Sequence, residues 1–68
     1  MNRDEAERVA DEINHTPGWG VLEVFELGVL NANNPEYGVR AWHQPSGTVE
    51  DIPGRSAWDI LKAKFAKP

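Results

Sequence analysis

The sequence predicts an α+β domain: a three-stranded antiparallel sheet flanked by an amino-terminal and a carboxy-terminal helix, in the order αβββα. Three observations lead there. Apolar residues recur at helical spacing only near the two ends of the chain. Between those ends lie stretches rich in valine and aromatic residues, which favour strands. Turn-forming groups, Thr16-Pro17-Gly18, Pro45-Ser46-Gly47 and Pro53-Gly54, separate the segments. With no internal repeat, low-complexity tract or linker composition, residues 1–68 read as a single domain.

The first helix is the clearest element. Ala6, Val9, Ala10 and Ile13 fall at i, i+3, i+4 and i+7, which makes one apolar stripe. Asn2 or Asp4 is placed to cap its start, and the acids of its first turn suit the positive end of the helix dipole. It stops near Asn14, because Thr16-Pro17-Gly18 cannot continue it. A narrow stripe of small residues is suited to lying flat on a sheet.

Trp19 to Leu30 is the most apolar run, and Val21, Val24, Phe25 and Val29 favour a strand there. Glu23 and Glu26 are three apart, so a regular strand cannot present both on one face. A bulge between them or a helical turn would reconcile the pattern, and the residues do not choose between these. Asn31 to Pro35 is a loop by composition, with a turn at Asn33-Asn34-Pro35. A second strand spans Tyr37 to His43, with Tyr37, Val39, Ala41 and His43 on one face and Gly38, Arg40 and Trp42 on the other. Parity leaves open which of these faces the core. Pro45-Ser46-Gly47 forms a hairpin turn with Gly47 free to take positive φ, and Thr48 to Ile52 forms a short third strand.

The last helix is expected to start at Ser56 as N-cap, with Asp59 three residues on in capping-box position. Trp58, Leu61 and Phe65 supply its apolar stripe, widened by Ala57 and Ile60, and the helices are expected to share one face of the sheet.

Composition narrows the functional classes. A chain of 68 residues buries only about 60% of its unfolded surface, so its stability is marginal. The absence of cysteine excludes disulfides and thiolate metal sites, which leaves aromatic bulk, including three tryptophans, as the internal staple. No apolar stretch approaches the roughly 20 residues of a membrane helix, and the polar, acidic start is unlike a secretory signal, so cytoplasm is the expected compartment. Net charge is −4, distributed as −3 over residues 1–14, −4 over residues 15–54 and +3 over residues 55–68. Acids at the start of the first helix and bases at the end of the last are the placement that helix dipoles favour.

No residue set assembles a convincing catalytic or metal site, so the chain is expected not to be an enzyme and to need no cofactor. Thr16, Ser46, Thr48 and Ser56 are the hydroxyl candidates, with His15 and His43 as bases and Asp51 near the Ser46 turn, but no nucleophile elbow or oxyanion-hole loop accompanies them. Glu50 and Asp51 are adjacent on a strand and point to opposite faces, and Asp11-Glu12 reads as solvated helix surface. Two histidines without HxxH or HExxH spacing do not read as a metal site, and Gly18-Trp19-Gly20 lacks the helix signature of a phosphate-binding loop.

The element order, the run Tyr37-Gly38-Val39-Arg40-Ala41-Trp42 and the group Gly54-Arg55-Ser56 together give residues 37–66 a form that resembles the double-stranded RNA-binding domain: the run looks like that family's middle strand, and the group looks like the start of its second helix. In the family a KKxAK run follows, whose lysines grip phosphates across the major groove. Here those places read Ala57-Trp58-Asp59-Ile60-Leu61, so the lysines are missing. The resemblance therefore implies the topology without the RNA-binding mechanism.

The expected function is a non-enzymatic protein-interaction module, a small regulator or inhibitor of the kind bacteria and phages carry. Trp19, which is flanked by glycines and expected to be the exposed tryptophan, joins Arg40 and Trp42 as contact residues, with Glu23 and Glu26 as flanking charges. Two alternatives stand beside it. Arg55, Lys62, Lys64 and Lys67 could bind nucleic acid, or an exposed sheet edge could join two copies into a homodimer.

Overall fold

The elements follow the order α1 (Arg3–Asn14), β1 (Trp19–Glu26), β2 (Tyr37–His43), β3 (Thr48–Ile52) and α2 (Arg55–Phe65). This computed structural model describes residues 1–27 and 35–66. The expected turn at Asn33-Asn34-Pro35, the end of the apolar run at Val29-Leu30, and Lys67 thus lie outside the described residues or at their margin. The strands form one sheet in the order β1-β2-β3, antiparallel at both junctions.

Both helices cover the same face of this sheet. Ala6, Val9, Ala10 and Ile13 of α1 meet Trp19, Val39, Ala41 and Ile52 of the strands and Trp58 of α2 in one buried cluster. Val21, Val24, Leu61 and Phe65 pack at its margin. The odd-numbered face of β2 is therefore the core face, the choice that strand parity leaves open.

Local chemistry explains the element boundaries. Asn2 Oδ1 accepts a hydrogen bond from the Glu5 backbone N–H at 2.7 Å, which satisfies one of the free donors at the start of α1. At the other end, Asn14 Oδ1 accepts from the Val21 N–H at 3.0 Å, so a helix-end side chain occupies part of the outer edge of β1. Gly47, at φ 70°, takes the left-handed conformation in the β2–β3 turn that its lack of a Cβ permits.

Three expectations are corrected. The strand irregularity lies between Val21 and Glu23, where Leu22 is the extra residue, and not between Glu23 and Glu26. The cause is the core: Trp19, Val21 and Val24 all have to face the helices, and only an inserted residue puts positions 21 and 24 on one side. Glu23 and Glu26 then simply occupy opposite faces, opposite Arg40 and Tyr37. Second, α2 starts at Arg55 with Gly54 as its N-cap, and Ser56 lies inside the first turn. The Gly54 carbonyl already accepts from the Trp58 N–H at 3.1 Å, so Ser56 has no capping role. Third, Ile60 is 69% exposed. At 100° per residue it lies about 200° round the helix from Trp58, away from the stripe.

Candidate functional site

The tryptophan expected at the surface is in the core. Trp19 is only 7% exposed and opens β1 opposite His43, on the helix-facing side. Its ring stands edge-on to Trp58 at 5.1 Å and to Phe65 at 5.6 Å, and lies tilted against His43 at 4.8 Å. Edge-to-face packing of this kind adds to simple area burial. Of the flanking glycines, Gly18 serves the turn into β1, where it takes φ 85°, and does not mark an exposed ring. Trp19 therefore leaves the set of surface contacts, and Glu26 leaves with it, because Glu26 faces the Tyr37 side, where the Tyr37 hydroxyl donates to its Oε1 at 3.4 Å.

Arg40, Trp42 and Glu23 remain together on the sheet face that neither described helix covers. Arg40 is at the centre of this face. Its Nη1 donates to Glu23 Oε1 on β1 and its Nε to Asp51 Oδ1 on β3, both at 2.8 Å. These are charge-assisted bonds across both strand junctions. The hydrogen bond from Arg40, helped by its charge, lowers the Asp51 pKa from its ordinary value, and the same pairing with Asp51 and then Glu23 raises that of Arg40. At neutral pH the triad carries one net negative charge. The guanidinium also lies 4.9 Å from the centre of the Phe25 ring, a cation–π distance.

Apolar side chains flank the triad at both ends. At one end Phe25 lies opposite Gly38, and the approach is close: a Cβ on Gly38 would stand 3.1 Å from the Phe25 ring tip and 3.1 Å from the Ile52 carbonyl oxygen, so its neighbours would have to shift. At the other end Trp42, 40% exposed, lies between Gly20 on β1 and Val49 on β3, which is itself 52% exposed. Leu22, at the bulge, is 54% exposed. Phe25, Val49 and Asp51 are site residues that the sequence reading does not place. A signal for two of them exists: a turn that pairs His43 with Thr48 also pairs Trp42 with Val49 and Arg40 with Asp51.

Of the cations proposed for nucleic acid, Arg55 and Lys62 are engaged in ion pairs. Arg55 Nη1 bonds Glu12 Oε2 at 3.0 Å, and Lys62 Nζ lies 3.5 Å from Glu12 Oε1 and 3.8 Å from Asp59. Glu12 thereby ties α1 to α2. Partial desolvation raises its pKa, but the bonds and charges of Arg55 and Lys62 outweigh that and hold it below its ordinary value. Lys64 Nζ lies 5.4 Å over the Phe65 ring.

His43 Nδ1 is 2.7 Å from Ser46 Oγ, which donates to Thr48 Oγ1 at 2.8 Å. The imidazole is buried between Trp19 and Phe65, while Asp51 is on the opposite sheet face with Arg40. Asp51 is thus not the third member of a Ser–His arrangement, and Glu50, opposite Ala41, does not converge with it. Among the described residues no cluster of three His, Asp or Glu side chains is placed to hold a metal ion. No described helix is long and apolar enough to cross a membrane. No protein-family model, curated protein or solved structure matches this chain.

Proposed function

We propose that this protein is a non-enzymatic interaction module that binds a protein partner through the open face of its sheet. A single observation carries the proposal: Trp42, Val49 and Phe25 surround a pre-assembled Glu23–Arg40–Asp51 triad on a face that neither described helix covers. An exposed tryptophan beside a fixed arginine is the composition of interface hot spots. The triad is held by bonds from two neighbouring strands, so little side-chain entropy remains to be lost on binding.

The nucleic-acid alternative has weaker support. A phosphate would have to displace Glu12 from Arg55 and Lys62, and the open face is itself acidic. The likeness to the double-stranded RNA-binding domain extends to element order. At the places of that family's lysines this chain has, among others, Trp58, which is in the core. That substitution supports a protein partner over RNA.

The test is capture from host lysate, with and without nuclease, using the wild type beside Trp42→Ala and Val49→Lys. A specific protein that survives nuclease and is lost with both variants is the expected result. Capture unchanged by both variants, or capture that nuclease abolishes, would overturn the proposal.

A further inference from the structure

We infer that the open sheet face takes one cationic amphipathic α-helix, whose apolar stripe lies on Phe25, Trp42 and Val49 while lysine or arginine on its flanks reaches Glu23 and Asp51. This rests on the interaction-module proposal and names its partner's chemistry.

Size limits the occupant first. Strands about 4.8 Å apart with about 3.4 Å of rise per residue make a face roughly 14 Å wide and 24 Å long, or about 340 Å². A helix is about 10–12 Å across with its side chains, so one helix of about 16 residues covers this face and two do not fit. Face-to-face pairing of two copies of the chain would oppose two triads of the same net negative sign.

Charge limits it further. Glu23 and Asp51 stand on the two outer strands with Arg40 between them, about two strand spacings or roughly 10 Å apart. That separation matches the width of a helix, so bases on both flanks of the stripe each find a carboxylate. Arg40 engages one oxygen of each acid, Glu23 Oε1 and Asp51 Oδ1, and the second oxygen of each has no hydrogen-bond partner among the described residues. Trp42 adds a surface for a cation, because Gly20, its cross-strand neighbour, has no side chain to cover the indole. Edge pairing by an extended peptide is less well provided for. Asn14 occupies part of the β1 edge, and β3 is five residues long with Glu50 and Asp51 on it.

The test uses three dye-labelled helical peptides of sixteen residues that share a leucine stripe and carry Lys, Gln or Glu on its flanks. Binding is read by anisotropy. The Lys peptide is expected to bind about tenfold tighter than the Gln peptide, to weaken about tenfold with Trp42→Ala or Val49→Lys, and to lose its advantage in a Glu23→Gln/Asp51→Asn double variant. Native far-UV circular dichroism checks that each variant is folded. Equal or tighter binding of the Gln or Glu peptide, still dependent on Trp42, would overturn the cationic partner and leave the open-face proposal standing. Binding of the Lys peptide that ignores Trp42 and Val49, or binding of none of the three, would overturn the inference. In that case the lysate capture with Val49→Lys judges the open face separately.

Discussion

Replacing Trp19 with alanine tests the placement of this ring in the core. A buried tryptophan removes up to about 250 Å² from water, and about 25 cal/mol per Å² makes that about 6 kcal/mol at most. Trp19 is 7% exposed, so nearly all of this applies. Alanine retains its own Cβ, and the unfolded chain already buries part of the area, which brings the expected loss to about 4 kcal/mol, within the usual range for such truncations. A 68-residue domain has a total stability of about 3–10 kcal/mol, so the variant is largely or wholly unfolded at the low end of that range. Urea unfolding followed by far-UV circular dichroism measures the loss, and Trp19→Phe supplies a graded variant with an expected loss of about 1–2 kcal/mol. Trp42→Ala leaves no enclosed cavity on the open face, so its expected loss is less than half that of Trp19→Ala. A Trp19→Ala loss under about 1.5 kcal/mol, or one no larger than that of Trp42→Ala, would refute the burial argument.

Glu12→Gln removes a carboxylate that holds both Arg55 and Lys62, and is expected to lower stability by about 1 kcal/mol at low salt and by less at high salt, as unfolding in two salt concentrations would measure. Acid should destabilise the wild type. The Asp51 and Glu12 pKa values are lowered in the folded state, so their contribution is present above the ordinary carboxylate range and is lost as pH falls through the lowered folded values. Urea midpoints measured from neutral pH downward should show this, with a shallower acid limb in a Glu12→Gln/Asp51→Asn variant. Asn2→Ala removes the cap of α1 and should cost about 1 kcal/mol, whereas Asn2→Gly should cost only a few tenths, read from thermal melts of the pair. Gly38→Val should displace Phe25 from beside Arg40 and destabilise the domain, because the Ile52 carbonyl, a backbone atom, also stands in the way; chemical shifts of the Phe25 ring would report it.

Most of the elements are legible in local sequence. Asn2 and the Ala6–Ile13 stripe define α1, the alternation from Tyr37 to His43 defines β2, and Pro45-Ser46-Gly47 sets the hairpin that follows. These are local properties, written in period, cap and turn chemistry over a few neighbouring residues. Arg40, Trp42 and Glu23 were legible as candidate contacts because their residue types and strand positions already grouped them. Which face of β2 meets the helices is set by packing, because both faces are apolar enough and burial depends on where α1 and α2 lie. The same packing drew Trp19 inward against Trp58 and Phe65, placed the bulge at Leu22 so that Val21 and Val24 face the core together, and turned Ile60 to the surface. It also brought Glu12 to Arg55 across 43 positions of chain and Glu23 to Arg40 across the β1–β2 junction. Side-chain pairs so distant in sequence have no local signature, since the chain must fold before either partner meets the other.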